Sequence, residues 1–427
     1  MQRHALFDAI VSLDNLEGAY LDLVRKLEES RRSGRYAGLD GLRLDDVALS
    51  SARLLHDARD ELRGFAPVAP ALRSSVRKAN GSERLIYTFS LKSRIQAEAI
   101  HRVVAPVFEA ALTDFVYSYR SSHPQHLAVR SVARRYRRRF GQDTVHRFDI
   151  ARYTESLNRE VLRGQIARLG FDEPTRRLID LFIDNRFVSG GAIEQPARGV
   201  LTGVPLVGLF ANLYLDQLDA AVGRWVALYR RVGDDGILFD RDAGRVREVA
   251  GFIEAEAARL DLTIEPTKSR LLRSDQPFEF LGHEFRGGQV RIGPRALRRA
   301  RARWRRMLRY YPAPVETKLR RLHGLLYGSG SSIHHQFIQL LRAFRQVTDH
   351  GQVEAVSAVF YRCLTVHFWG SYSHRHQRLT RRLTSGLAIP SLHRYFADFH
   401  NGRETLASLS LSAPQRHTTR GPPARPG

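Results

Sequence analysis

The chain has 427 residues, which is long for one compact domain and favours two or three lobes, and its 43% hydrophobic content is enough to build real cores. Its formal net charge of +24 indicates a polyanionic partner, and nucleic acid is the usual one, because neutralising phosphates releases counterions. No stretch approaches the roughly 18 apolar residues of a membrane span, and the start lacks the apolar core of a signal peptide, so we expect a soluble, cytoplasmic protein without a membrane partner. Cys363 is the only cysteine, which excludes internal disulfides and cysteine zinc clusters.

The first quarter of the chain predicts helices followed by a basic hairpin. In residues 1 to about 60 apolar side chains recur at helical spacing, with a break at residues 31–41, and no candidate chemistry is visible there. Residues 76–89 form two short strand-like runs around an Asn-Gly turn, a pattern typical of a β-hairpin. This hairpin carries the basic residues Lys78 and Arg84.

Two helices and a strand follow the basic hairpin. Residues 91–112 predict an amphipathic helix that is kinked or divided at Pro106. The next helix ends in an arginine-rich run at residues 134–139, which is a solvated face or, beside a nucleic-acid site, a contact to the phosphate backbone. A short apolar strand at residues 145–150 then carries Asp149 near its end.

The middle of the chain predicts further helices and a loop rich in glycine and proline. Residues 155–188 look helical, and residues 199–206 form a loop that leads into another helix. A glycine at a helix start can approach phosphate or sugar closely, although any junction of loop and helix looks similar. A helix at residues 245–260 and strands at residues 262–264 and 278–285 close this region.

The last third of the chain has a helical and strongly basic pattern. Arginines crowd the first helix after residue 287, and several helices follow to about residue 410. The tail at residues 411–427 contains prolines and glycines, and we expect it to be disordered.

Residues 229–239 contain the central candidate motif of the chain. Asp234 and Asp235 lie on a tight turn between a run that ends in Val232 and an apolar run from Ile237 to Phe239, which predicts a β-hairpin with acids at its tip. Asp-Asp-Gly is also ordinary turn chemistry, so this segment alone leaves both interpretations open. Together with Asp149, the pair supplies the carboxylates of a phosphoryl-transfer site in which two cations lie roughly 3.5–4 Å apart. Neighbouring carboxylates repel each other, and hard ions such as Mg²⁺ relieve that repulsion.

These acids occur within an ordered series of motifs. The series comprises Phe148-Asp149-Ile150-Ala151-Arg152-Tyr153, Gly203-Val204-Pro205-Leu206 with Leu209-Phe210-Ala211-Asn212-Leu213-Tyr214-Leu215, Val232-Gly233-Asp234-Asp235, Glu265-Pro266-Thr267-Lys268 and Phe280-Leu281-Gly282. In this order the motifs resemble the palm of reverse transcriptases, above all the bacterial group that includes group II intron and retron enzymes. Upstream, residues 91–95 and 117–120 resemble the fingers of that group.

The resemblance implies an α+β right-hand polymerase. Residues 1–75 would be an N-terminal helical region, residues 76–286 the fingers and a palm with an antiparallel sheet flanked by helices, and residues 287–410 a basic α-helical thumb and C-terminal extension. The implied function is that of an RNA-directed DNA polymerase, with an RNA template and a DNA product as partners.

The resemblance also implies roles in catalysis for individual residues. Asp149, Asp234 and Asp235 would hold two Mg²⁺ ions, or Mn²⁺ in their place. The backbone carbonyl of Ile150 would also bind a metal ion. Lys268 would donate a proton to the outgoing pyrophosphate, unless it is simply an exposed loop residue.

The resemblance also implies which residues contact the nucleotide and the primer. Arg84 and Lys78 would grip the incoming triphosphate, because a guanidinium fork fits phosphate oxygens. The nucleotide pocket would further include Tyr153, Thr154, Thr202 and Gly203. The primer grip would consist of Phe280, Leu281 and Gly282.

The chain departs from the family pattern around the nucleotide. It has Thr202-Gly203-Val204-Pro205 where the family has Gln-Gly-Ser-Pro, and Val232-Gly233 where Tyr-Ala usually precedes the paired acids. Thr154 stands where a bulky aromatic side chain blocks a ribose 2′-hydroxyl, so we expect a relaxed sugar filter and unusual use of the template. An RNA-dependent RNA polymerase fits less well, because its ribose-sensing acid would stand at the position of Thr154.

The resemblance leaves two functions open. A stand-alone polymerase with a helical extension is similar to domesticated bacterial enzymes of antiphage defence, including the abortive-infection type. Such enzymes act with a dedicated non-coding RNA or without a template, and some form homo-oligomers or bind a partner protein. The alternative is a non-catalytic RNA-binding or maturase-like protein that retains the fold.

Overall fold

The computed structural model describes residues 5–30, 38–42, 51–77, 81, 83–327, 332–387, 389–406 and 408. The chain divides into two compact units, one formed by residues 1–128 and 143–273 and the other by residues 129–142 and 274–427. Both contain helices and sheets with antiparallel strand pairs, which confirms the predicted α+β class. The first unit ends at Arg273, whereas the sequence predicted a domain boundary at residue 286. The predicted tail at residues 411–427 lies outside the described residues. No helix in the described part of the chain has the length and apolar character needed to cross a membrane.

The first unit is built from helices around two sheets. Its helices are α1 (Ala5–Ile10), α2 (Leu13–Ser30), α3 (Ser51–Arg63), α4 (Leu91–Ala111), α5 (Gln125–Arg138, which continues into the second unit), α6 (Tyr153–Ser156), α7 (Arg159–Ala167), α8 (Glu173–Ile183), α9 (Leu206–Tyr214), α10 (Asp216–Trp225) and α11 (Ala243–Arg259). Its strands are β1 (Ala71–Arg77), β2 (Glu83–Thr88), β3 (Thr144–Asp149), β4 (Phe187–Ser189), β5 (Ala192–Glu194), β6 (Leu228–Val232), β7 (Asp235–Asp240) and β8 (Arg270–Arg273).

Helix α4 lies at the centre of the first unit. It packs against α1, α2, α3, α8 and α9, and Leu91, Ile95 and Ile100 are buried on it. Because it is surrounded by other helices, its polar Gln96 is also buried and donates to the backbone oxygen of Ala58 over 3.3 Å. The helix is continuous through Pro106 and is not divided there.

The sheet that carries the acids has the strand order β6-β7-β3-β8. Strands β6, β7 and β8 each pair antiparallel with their neighbours, and helix α11 packs against β3 and β7. Burial on both sides explains why Ile237, Leu238 and Phe239 form an uninterrupted apolar run in β7. The predicted strand at 145–150 and the predicted hairpin at 229–239 are therefore both confirmed.

The second sheet of the first unit has the order β2-β1-β4-β5. The antiparallel register of β1 and β2, with Arg77 opposite Glu83, confirms the predicted basic hairpin. Helix was wrongly predicted as far as residue 188, because β4 starts at Phe187. Phe187 pairs in parallel with Ala71 of β1, a contact between distant segments that helical periodicity does not reveal.

The second unit is a helical domain with one small sheet. Strands β9 (Phe278–Phe280), β10 (His283–Arg286) and β11 (Gln289–Ile292) form that sheet, and the helices are α12 (Pro294–Met307), α13 (Val315–Tyr327), α14 (Ile333–Phe344), α15 (His350–Trp369), α16 (His374–Leu383) and α17 (Leu392–His400). Trp304, Phe337 and Phe360 are buried and pack edge to face in its core. The predicted basic helices are confirmed, although they begin after β11 and not at residue 287.

Candidate functional site

Three carboxylates lie at one end of the β6-β7-β3-β8 sheet of the first unit. In the register of β3 and β7, Asp149 lies opposite Asp235. Gly233 and Asp234 form the two-residue connection of the β6–β7 hairpin. The backbone N–H of Ile150 donates to the backbone oxygen of Asp234 over 3.1 Å, which fixes the hairpin tip against the end of β3. The fold therefore brings together the acids that the sequence predicts.

Burial and mutual repulsion make these carboxylates hard to ionise. Burial raises the pKa of Asp149, and the charge of Asp235 raises it further, whereas Lys268 and Arg147 oppose the shift. Burial also raises the pKa of Asp234, to which the charges of Asp149 and Asp235 add. A bound cation would relieve this repulsion.

Two cationic side chains enter the acidic cluster. Lys268 donates from Nζ to Oδ1 of Asp149 over 2.6 Å, in an ion pair whose lysine side chain is 49% exposed and whose aspartate side chain is 8% exposed. Arg147 donates from Nη2 to Oδ1 of Asp235 over 3.1 Å. Sequence reasoning identified Lys268 but missed Arg147. The signal was present, because Arg147 precedes Asp149 by two residues and side chains alternate along a strand.

The donor chemistry of the cluster fits a hard divalent ion, since carboxylate oxygens are the ligands that Mg²⁺ prefers. The geometry does not complete such a site: among the described residues, no group of three or more histidine, cysteine, aspartate or glutamate side chains is arranged to hold a metal ion. Asp149 and Asp235 are paired with Lys268 and Arg147 instead. The three-carboxylate metal site and the contribution of Ile150 stay predictions.

The hairpin tip rests on a buried ion pair. Arg231 and Asp219 have fully buried side chains, and Nη2 of Arg231 donates to Oδ2 of Asp219 over 2.6 Å. Burial alone would lower the pKa of Arg231, but Asp219 raises it overall. The same guanidinium donates to the backbone oxygens of Gly233 and Asn212 over 2.9 and 3.1 Å. Tyr229 donates its hydroxyl to Asp219 over 2.7 Å, so the charge pair is well satisfied.

A second set of hydrogen bonds also holds the tip. The backbone N–H of Gly233 donates to Oγ of Ser118 over 2.9 Å, and that hydroxyl donates to Oδ1 of Asn212 over 2.8 Å. Nδ2 of Asn212 donates in turn to the backbone oxygen of Ser118 over 2.6 Å. Two motifs of the sequence resemblance, one with Ser118 and one with Asn212, thus converge beneath the paired acids. The sequence alone had not indicated this supporting role.

The residues of the predicted nucleotide pocket lie in different environments. Tyr153 is buried and donates its hydroxyl to the backbone oxygen of Ala211. Burial raises the pKa of its phenol strongly. Thr154 is half-buried, and its backbone oxygen accepts from the N–H of Val200 over 2.9 Å. The nucleotide roles of Tyr153 and Thr154 stay predictions.

The loop before α9 approaches the basic hairpin. Thr202 is half-buried and Gly203 is exposed with a φ of +122°. A Cβ at Gly203 would lie 2.6 Å from the backbone oxygen of Tyr87 in β2, so only glycine fits there. Arg84 is an exposed residue of the same hairpin, and Lys78 lies outside the described residues. The roles predicted for these residues in nucleotide binding are untested.

The predicted primer grip forms the turn between β9 and β10 in the second unit. Phe280 is the buried last residue of β9. Leu281 and Gly282 form the turn with φ angles of +46° and +77°, and the N–H of Gly293 donates to the backbone oxygen of Gly282 over 2.8 Å. The turn is therefore a fixed feature of this unit, and its contact with a primer stays a prediction.

Packing between β3 and β7 leaves no room for a side chain at Gly236. A Cβ at this position would overlap the ring of Phe148, which is buried and stacks on Tyr229. We expect Gly236→Ala to destabilise the first unit by about 1–3 kcal/mol through overpacking. Gly251→Ala is the matched control, because nothing lies within 4 Å of its added methyl group, and it should stabilise α11 by about 0.5–1 kcal/mol. Urea unfolding of both variants measures this contrast, and equal stabilities would contradict the packing argument.

Comparison with known proteins finds only distant similarity. No protein-family model matches the chain. Protein YkfC of Escherichia coli (strain K12) is 22% identical over 310 residues, which cover 62% of this chain and 80% of YkfC. Apo telomerase from Candida tropicalis is 11% identical with a TM-score of 0.46, and the match covers 78% of this chain and 69% of the telomerase. Telomerase from Candida albicans, in complex with a fragment of telomeric RNA, is 11% identical with a TM-score of 0.42 over 78% of this chain and 67% of that one. At such TM-scores the likeness carries no argument about function.

Proposed function

We propose that this chain is an RNA-directed DNA polymerase with a right-hand fold, in which the first unit carries fingers and palm and the basic helices of the second unit act as thumb. One observation carries the proposal: Asp149 lies opposite Asp235 on paired strands, with Asp234 on the adjoining turn. Burial and mutual repulsion raise the pKa values of Asp149 and Asp234, as expected of carboxylates prepared to receive cations. The net charge of +24 supports a nucleic-acid partner.

The reaction would join the 3′-hydroxyl of a primer to the α-phosphate of a deoxynucleoside triphosphate and release pyrophosphate. Asp149, Asp234 and Asp235 would hold two Mg²⁺ ions, or Mn²⁺, with the backbone oxygen of Ile150 beside them. When bound, the ions supply positive charge for the attacking oxygen and the leaving group. Lys268, whose ammonium group donates to Asp149, would give a proton to the departing pyrophosphate.

Other residues of the chain would position substrates. Arg84 and Lys78 would bind the triphosphate, and Thr202 and Gly203 would lie beside the base or template. Phe280, Leu281 and Gly282 would hold the primer. We further propose a role in antiphage defence, with a dedicated non-coding RNA or non-standard templating, and with assembly into homo-oligomers or with a partner protein. These finer proposals rest on the motif resemblance.

Thr154 gives a test of sugar selection. Because its side chain is small at the position where the family has a bulky aromatic residue, wild type should accept ribonucleotides together with deoxynucleotides. We expect Thr154→Phe to lower the ratio of ribonucleotide to deoxynucleotide incorporation by about tenfold or more, an effect of roughly 1.4 kcal/mol. Single-nucleotide extension of a labelled primer measures both rates. Equal ratios in wild type and variant would show that Thr154 does not filter the sugar.

A primer-extension assay tests the proposed function directly. Purified protein is incubated with a primed RNA template, with its co-purifying RNA, or without nucleic acid, in the presence of labelled deoxynucleotides and Mg²⁺ or Mn²⁺. We expect DNA product that requires the divalent ion. If no product forms under conditions that support a control polymerase, the proposal is wrong.

A non-catalytic RNA-binding or maturase-like protein is the second candidate. The observation that favours it is that Asp149 pairs with Lys268 and Asp235 with Arg147, so two of the three carboxylates already have cationic partners within the chain. Under this alternative, RNA binding and biological effect should survive Asp234→Ala, whereas the first proposal requires the loss of DNA synthesis and of any biological effect that depends on it.

A further inference from the structure

The second unit contains a concave site lined by arginines, which we call the arginine pocket. Its volume is about 600 Å³. The lining consists of Arg130, Ala133, Arg134, Arg137, Arg138, Gly288, Arg345, Gln346, Thr348 and His400. Among these described lining residues there is no aspartate or glutamate, so none of them neutralises the five guanidinium groups. All these residues belong to the second unit, and none is part of the carboxylate cluster.

Four of the arginines follow one face of α5. Arg130, Arg134, Arg137 and Arg138 lie at positions i, i+4, i+7 and i+8, which share a side of a helix. At 1.5 Å per residue, their backbone positions span about 12 Å along the helix axis. A stripe of this length matches a row of several phosphates better than one isolated anion. The hydroxyl of Tyr136 accepts from the N–H of Gly288 over 3.2 Å and fixes the helix to the β10–β11 turn.

Arg345, the fifth arginine of the pocket, comes from the end of α14, far from α5 in sequence. It is half-buried, and its Nε atom is buried without a hydrogen-bond acceptor. Burial lowers the pKa of Arg345, and the positive charge of Arg130 lowers it further. Two cations that repel each other, one of them partly desolvated, are unfavourable unless an anion binds between them.

Helix dipoles explain only part of this cluster. Arg138 is the last residue of α5 and Arg345 caps the end of α14, where a cation is stabilised by the negative end of the helix. The effect falls off within the last turn, so it does not extend to Arg130, two turns earlier. The repulsion between Arg130 and Arg345 is therefore not explained by local helix electrostatics.

We infer that the arginine pocket binds the sugar–phosphate backbone of a nucleic-acid strand over two or three successive phosphates. Arginine forks bind phosphate oxygens in pairs, and backbone contacts of this kind position a strand without reading its sequence. The inference rests on the proposed function only for the identity of the polyanion. It requires no catalysis by Asp149, Asp234 or Asp235.

Equilibrium binding to oligonucleotides tests the inference. Fluorescence anisotropy with labelled single-stranded RNA and, separately, DNA of the same sequence is measured between about 50 and 200 mM KCl without nucleotides. The triple variant Arg130→Gln/Arg134→Gln/Arg345→Gln removes three phosphate contacts. At about 0.7 per contact, the slope of log K against log salt should become less steep by about 2, and binding should weaken tenfold or more. Preference for one of the two oligonucleotides identifies which strand occupies the pocket.

The matched control is Arg224→Gln/Arg241→Gln/Arg247→Gln, which removes the same charge from exposed positions of the first unit, outside the proposed thumb. Equal slopes and affinities for the two triple variants would overturn the inference, as would arginine-dependent binding of inorganic tripolyphosphate but not of either oligonucleotide. Relief of repulsion should leave the Tm of the pocket variant without oligonucleotide at or above that of wild type. If the triple variant does not fold, Arg130→Gln/Arg134→Gln, which changes only exposed residues, must still lower the slope by about 1.4.

Because binding is measured apart from DNA synthesis, the two proposals can fail separately. An inactive wild-type protein with arginine-dependent binding would contradict the polymerase and support the pocket. An active polymerase that binds equally after loss of the three arginines would contradict the pocket alone.

Discussion

Asp234→Asn should reduce DNA synthesis by at least about 10²-fold while the protein stays folded. The substitution keeps the shape of the side chain but removes a negative charge from the cluster in which Asp149 lies opposite Asp235. Loss of a single electrostatic group at a reacting centre typically costs about 10²–10³-fold in rate. Primer extension at saturating substrate gives this ratio. The same protein should bind oligonucleotides with wild-type affinity.

The stability of this variant provides its internal control. Because the folded-state pKa of Asp234 is raised, its carboxyl group favours folding below its unfolded pKa, and this contribution is lost as pH rises through the folded pKa. At neutral pH without divalent ions, Asp234→Asn should therefore be at least as stable as wild type, and the advantage should shrink as pH falls towards about 4.

Asp57→Asn, at an exposed position of α3, is the matched substitution and should leave both DNA synthesis and stability unchanged. Undiminished synthesis by Asp234→Asn would contradict the catalytic assignment. A loss of synthesis accompanied by unfolding would instead show that Asp234 has a structural role.

Arg231→Met should produce the largest loss of stability, about 3–5 kcal/mol. The substitution leaves the fully buried carboxylate of Asp219 without its cation and removes the donors to the backbone oxygens of Gly233 and Asn212. Burial already raises the pKa of Asp219, and Arg231 is the main group that opposes this shift. Urea unfolding followed by circular dichroism measures the free energy of unfolding.

A double variant separates the lost charge pair from lost packing. Arg231→Met/Asp219→Leu removes both charges, so it should recover a large part of the stability that Arg231→Met loses. Arg224→Met, in the exposed last turn of α10, is the control for removing an arginine without a buried partner and should change stability by less than about 0.5 kcal/mol. If Arg231→Met is no less stable than this control, the buried pair does not support the hairpin.

Local patterns explain why parts of the fold could be predicted. The β6–β7 hairpin is indicated by a Gly-Asp turn that precedes the apolar run at residues 237–239, and β3 is indicated by a short apolar run that ends at Asp149. Short strands such as β8 (Arg270–Arg273) have no such pattern, and residues 262–264 were predicted to be a strand but contribute only an isolated bridge between Ile264 and Ile150. Whether such a segment becomes a strand depends on hydrogen bonds to distant partners, which local propensity does not encode.

The sequence by itself determined the order of Asp149, Asp234, Asp235 and Lys268 along the chain, the turn that holds the paired acids, and the net charge of +24. Only the tertiary structure decided that Asp149 faces Asp235, that Arg147 joins the cluster, and that Arg231 is buried against Asp219 beneath it. The reason is physical: turns and strands follow from neighbours in the chain, whereas the burial and pairing of a charge depend on groups that folding brings from elsewhere.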